Sequence, residues 1–183
     1  LSYSSAATAG AASAALFLGN SSSNTVQSGI FSNPTGYGAY LVNASYNSIS
    51  ASTMTSAVTG GFGLYALGAT SNTVVESRIE NTAGGALYLH TGANYNVIDR
   101  AVLSSNGGGG SDHALLVTNA SSNTVTRSFM SNPSGWTVYL NGSSNYNSVS
   151  WSTVTTGASG YTALNLGNSA SYGHQPFLST STT

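Results

Sequence analysis

Cysteine is absent from this 183-residue chain, so neither a disulfide framework nor a thiolate metal site can form. Lysine is absent as well, and charged residues make up only 4% of the chain, against about 25% in ordinary soluble domains. Three arginines against four acidic residues leave no electrostatic footprint for nucleic acid or for an anionic membrane surface. Long apolar runs are also missing. The longest, Ala14 to Leu18, falls far short of the ~20 residues that a membrane span needs.

What is present is a 40% hydrophobic fraction, ample for one core, and a polar remainder built from Ser, Thr, Asn and Gly. Regularly placed Val, Ile, Leu and Tyr are the opposite of a disordered composition. The chain starts at Leu1 rather than Met, which fits a processed secreted protein or a segment of a longer one. An extracellular or cell-surface location is expected.

The organising feature is a repeat. An Asn followed two residues later by Val or Ile occurs at Asn24, Asn47, Asn72, Asn96, Asn123 and Asn147, at spacings of 23 to 27 residues. Seven residues after each Asn comes an apolar side chain: Phe31, Met54, Ile79, Leu103, Met130 and Val154. Five after it sits a small residue, from Gly29 to Ser152. Ahead of each Asn lies an alternating segment, such as Ala39-Tyr40-Leu41 or Leu87-Tyr88-Leu89. Period-2 alternation sends one set inward and the other outward.

These elements predict an all-β right-handed parallel β-helix, a solenoid of about six to seven coils of roughly 24 residues with three short strands each. Stacked at strand spacing, the six Asn form a structural column whose amides bond from coil to coil. Residues 14–168 are expected to form the solenoid, 1–13 a partial coil or edge segment, and 169–183 a Ser/Thr-rich tail. A helix bundle fails on the missing 3.6-residue stripe, and a six-residue β-helix period is absent. An antiparallel sandwich does not explain the constant three-strand spacing.

The Asn-x-Val/Ile units and their later apolar position, over residues 14 to 166, resemble the parallel β-helix repeats of pectin-lyase-like proteins. That resemblance implies the fold, but the fold hosts lyases, hydrolases, tailspikes, adhesins and filaments alike. Pectate-lyase-like enzymes place acidic calcium ligands and an arginine base on an outer strand face. The residues here that resemble such a face are Glu76, Arg78, Glu80, Arg100 and Arg127, with Asp99 beside them. They are few ligands for a cation that takes about six to eight oxygens. Read as residues alone, they form a surface ion-pair ladder with Glu76 beside Arg100.

Other departures are a Gly107–Gly110 insertion followed by Ser111, Asp112 and His113, where His113, Asp112 and His90 are candidates for an acid/base or metal site. The insertion lacks the Lys-Ser/Thr of a phosphate loop. Tyr40, Tyr88 and Tyr139 are expected to form a broken outward stack, with Tyr37, Phe62, Trp136 and Tyr161 near the glycines. Sequons at Asn20, Asn43, Asn119 and Asn141 are expected to line one edge as possible glycosylation sites. His174 has no companion.

No amphipathic segment caps either end, so the ends are expected to meet another copy or further coils. The resulting reading is a non-enzymatic, self-associating subunit of an extracellular filament, sheath or surface fibre, assembled end to end or laterally. It assigns no catalytic, cofactor or metal residues. The alternatives are a polysaccharide-binding or polysaccharide-cleaving β-helix, of lyase or glycoside hydrolase type, and an ice-binding solenoid using Thr53-Met54-Thr55 and Thr153-Val154-Thr155.

Overall fold

The computed structural model describes residues 1–167 apart from Ser111 and Ala158. The expected tail and His174 lie outside the described residues. The chain winds as a right-handed parallel β-solenoid of about seven coils with three strands per coil. Strand spacing of about 4.8 Å sets the rise per coil.

Among the described residues, sheet 1 has six three-residue strands, from Thr25–Gln27 to Ser148–Ser150, each led by the Asn-column residue. Sheet 2 has seven strands, from Ser5–Ala7 to Thr153–Thr156. Sheet 3 also has seven, from Ala14–Gly19 to Leu164–Leu166. Every pairing is parallel and in register, for example Val97–Asp99 on Thr124–Thr126. Residues 5–7 already pair in sheet 2, so the N-terminal segment forms part of the first coil.

The core is a stack of apolar side chains, one from each sheet 1 and sheet 2 strand and alternate pairs such as Leu87 and Leu89 from sheet 3. Val26, Ile49, Val74, Ile98, Val125 and Val149 enter from sheet 1, and Phe31, Met54, Ile79, Leu103, Met130 and Val154 from sheet 2, all buried. Where sheets 2 and 3 converge, the seam residues are small: Gly38, Gly63, Ala86 and Ala114 in successive coils. A Cβ on Gly63 would lie 2.8 Å from both the backbone N and O of Glu80. Glycine is required there by close approach.

At the corner between sheets 3 and 1 the Asn side chains form a continuous ladder. From Asn47 onward, each Asn accepts through Oδ1 from both the backbone N and the Nδ2 of the Asn one coil before. The Nδ2 distances are 2.9 Å for Asn24 to Asn47, 3.0 Å for Asn47 to Asn72 and 3.1 Å for Asn72 to Asn96. The ladder continues through Asn123 to Asn147 at 3.0 Å per step. A second ladder runs at the corner of sheets 1 and 2, where Ser52 N donates to Ser77 Oγ and Ser128 N to Ser152 Oγ, both at 3.1 Å.

Consecutive coils alternate in kind, which a single 24-residue repeat hides. After the first strand, the last residues of the sheet 2 strands run Asn33, Ser56, Asn81, Ser105, Asn132, Thr156. The three Asn cap short turns: Asn81 Nδ2 donates to Val58 O and Gly61 O while its Oδ1 accepts from Ala83 N and Gly84 N. The intervening Ser or Thr precede longer turns, and the Gly107–Gly110 insertion is one of these. The true repeating unit is two coils.

Candidate active face

All the charged side chains of the described residues except Asp112 gather around the corner of sheets 1 and 2. Glu76, Arg100 and Arg127 occupy one column of left-handed backbone, with φ of 52°, 49° and 49°. Arg100 Nε lies 2.9 Å from Glu76 Oε1, and Arg127 grips both oxygens of Asp99 at 2.7 Å. Arg100 also reaches Asp99 at 2.8 Å, and Arg78 pairs with Glu80 on sheet 2 at 2.8 Å. The Arg127 hydrogen bonds hold the Asp99 carboxyl below the usual range. All three guanidiniums are thus engaged with carboxylates, so none is left as a free base.

The structure does not bring His90, Asp112 and His113 together. His90 ends the strand Gly85–His90, whereas His113 precedes the start of Leu115–Thr118 at the opposite edge of sheet 3. Asp112 Oδ2 accepts from Gly109 N at 3.0 Å and braces the turn. Among the described residues no three His, Asp or Glu side chains are grouped as metal ligands. Three of the four sequon asparagines, Asn20, Asn43 and Asn119, share the left-handed position that opens the corner of sheets 3 and 1. Asn141 sits one position earlier, aligned with Thr118, and Gly142 takes the column position.

The outer face of sheet 3 is aromatic. Its central row reads Phe17, Tyr40, Tyr65, Tyr88, Leu116, Tyr139. Tyr40 stacks on Tyr65 at 5.0 Å and Tyr65 on Tyr88 at 5.2 Å. The stack is continuous through Tyr65, which the expected Tyr40/Tyr88/Tyr139 series skips, and it breaks at Leu116. Tyr37 flanks Tyr65 at 5.3 Å, and Phe62 flanks Tyr88 at 5.0 Å. A second group, His113, Trp136 and Tyr139, lies beyond the break. A shallow groove of about 160 Å³, lined in part by Tyr37, Gly36, Thr59 and Gly60, opens beside the first group.

Two polar groups meet on this face. Tyr65 Oη lies 2.7 Å from His90 Nδ1, while the His90 ring stacks on Tyr88 at 4.5 Å. Burial pushes the Tyr65 hydroxyl up to about 12 and pulls His90 below its ordinary value. At neutral pH the pair is therefore a protonated phenol against a neutral imidazole. The chain has one group able to give a proton and one able to take it, in direct contact on an aromatic surface. Sequence reading missed the pair because the two do not share a place in the repeat: Tyr65 aligns with Tyr88 and His90 with Leu67, and the contact runs diagonally between coils.

No curated protein matches the chain. A solved structure that does is an alginate lyase from Paenibacillus sp. str. FPU-7, at 13% identity and a TM-score of 0.41, covering 86% of this chain and 83% of that one. A score of that size carries no residue of that protein onto this chain. The expectation of a non-enzymatic chain is corrected here, since a match to the right-handed beta helix gives it no support. A model of the right-handed beta helix region matches residues 7–154, and the chain belongs to that family.

Proposed function

We propose that the chain acts on polysaccharide, holding a glycan along the outer face of sheet 3 and working on it through Tyr65 and His90. The observation that carries this reading is the 2.7 Å Tyr65–His90 contact within the aromatic row. Aromatic rows suit sugar rings because they offer apolar surface together with polar tips. Hydrolysis by paired carboxylates has no groups to use on this face. Elimination fits the pair better, because it needs one group to take a carbon-bound proton and one to protonate the leaving oxygen.

With Nδ1 of His90 donating to the Tyr65 oxygen, Nε2 is free to take the acidic proton beside a uronate carboxyl. The glycosidic C–O bond then breaks, a C=C bond forms, and the Tyr65 hydroxyl supplies the proton to the departing oxygen. Such work belongs outside the cell or at its surface, where uronate polysaccharides are met.

The test is a panel of uronate polysaccharides assayed for ultraviolet-absorbing unsaturated ends and for binding. Tyr65→Phe keeps the ring stack and removes the proton, so product formation falls about 100-fold or more while binding stays within severalfold. A chain that neither binds nor cleaves any member of the panel, or a Tyr65→Phe variant with undiminished cleavage, overturns the reading.

A further inference from the structure

At the corner of sheets 3 and 1, immediately before the Asn ladder, a column runs Ser23, Tyr46, Ser71, Tyr95, Ser122, Tyr146. All six residues are left-handed, with φ between 56° and 60°. They lie in register, since Tyr46 N bonds Thr70 O, Ser71 N bonds Asn94 O and Tyr95 N bonds Ser121 O. The corner imposes this backbone on every coil, and serine meets it as well as tyrosine does. The ring is therefore not needed for the turn.

Nor is it needed for packing. Tyr46, Tyr95 and Tyr146 are 69%, 63% and 64% exposed. Alternate coils place one such ring every second step, so successive tyrosines stand about 9.6 Å apart along the solenoid axis. Small hydroxyl and amide groups fill the spaces: Ser45 Oγ bonds Thr70 Oγ1 at 3.0 Å, and Asn94 Oδ1 bonds Ser121 N at 2.6 Å. The charged side chains of the described residues lie at the other corner, on sheet 2 or in the turns leading into sheet 3.

We propose that this edge is a docking ladder for a neutral, extended β-1,4-linked glycan, separate from the face of sheet 3. In such a chain alternate sugars face the same way. Its two-sugar repeat is about as long as two coil steps, so each tyrosine meets every second ring from the same side. The exposed rings supply apolar contact, the intervening hydroxyls and amides meet sugar hydroxyls, and the absence of charge suits a neutral ligand. The edge would tether the chain to structural glycan while sheet 3 works on another polymer.

The test uses the whole chain and hydroxyethylcellulose in affinity electrophoresis, with coiled amylose as the control. Tyr95→Ser copies the residue that neighbouring coils already carry, so folding is preserved, and retention weakens about five- to tenfold. Tyr46→Ser/Tyr95→Ser/Tyr146→Ser abolishes retention. The decisive variant combines Tyr95→Ser with Ser71→Tyr, which keeps three tyrosines but moves one by a single coil. It is expected to bind as weakly as Tyr95→Ser alone.

Equal binding by that shifted variant, equal retention by amylose, or no retention of the parent chain overturns the proposal. So does a parent dimer in sedimentation that the triple variant dissolves without any change in retention. Uronate cleavage measured on short oligosaccharides is unchanged in the ladder variants, so failure of the ladder and failure of the Tyr65–His90 reading are read separately.

Discussion

At the residue scale, the Asn ladder shows how a polar side chain can be buried without penalty. Asn96 Oδ1 accepts from Asn72 N and Nδ2, while its own Nδ2 donates to Ala69 O at 2.8 Å and Asn123 Oδ1 at 3.0 Å. Asn96→Ala strips partners from several buried groups at once and is expected to cost at least about 2 kcal/mol in urea unfolding. His113 is a different case. Its Nδ1 donates to Trp136 O at 3.2 Å, because a carbonyl can only accept, and this leaves Nε2 buried without a partner. Burial pulls its pKa down, so the unfolded chain binds the proton more readily than the folded one. Stability is therefore full above about pH 6.5 and falls as the pH drops below it. His113→Phe should flatten that slope in thermal melts taken between pH 7.5 and 5.

At the element scale, strands are positioned by what their corners and seams allow. Sheet 3 approaches sheet 2 closely because Gly38 and Gly63 carry no side chain, and Gly63→Ala drives a Cβ into the Glu80 backbone. A loss of roughly 1 to 3 kcal/mol is expected, with the neighbouring aromatic row displaced, readable as changed near-ultraviolet circular dichroism. The same strand carries Tyr65, so packing at the seam and chemistry on the outer face are linked. His90 sits below its ordinary pKa, so the acid limb of cleavage should lie below pH 6.5, and the alkaline limb, set by Tyr65 at about 12, should not appear below pH 9. A pH profile of initial rate against uronate polymer checks this.

At the scale of the whole molecule, each coil contacts chiefly its neighbours, so stability adds coil by coil. Ile79 lies in a central coil and is fully buried, while Leu16 lies in a sheet 3 strand near the start. Ile79→Ala should cost about 2 to 5 kcal/mol and lower the main unfolding transition. Leu16→Ala should loosen the first coils before the rest, seen as early hydrogen exchange in Ala14–Gly19 with central strands still protected.

The sequence by itself determined the solenoid. The Asn-x-Val/Ile units and the apolar position seven residues on are local, repeated signals, and repetition with a constant period admits few other folds. Glu76 beside Arg100 was legible for the same reason, as both hold one place in the repeat. The alternation of coils was also legible, in the Ser-Asn/Tyr-Asn series before the ladder, but a 24-residue frame averages it away. What only the tertiary structure decided is which outward side chains meet: Tyr65 with His90, Arg127 with Asp99, and His113 apart from His90. Those contacts depend on register and rotamer between coils, where turn lengths vary and the sequence period carries no information about side-chain reach.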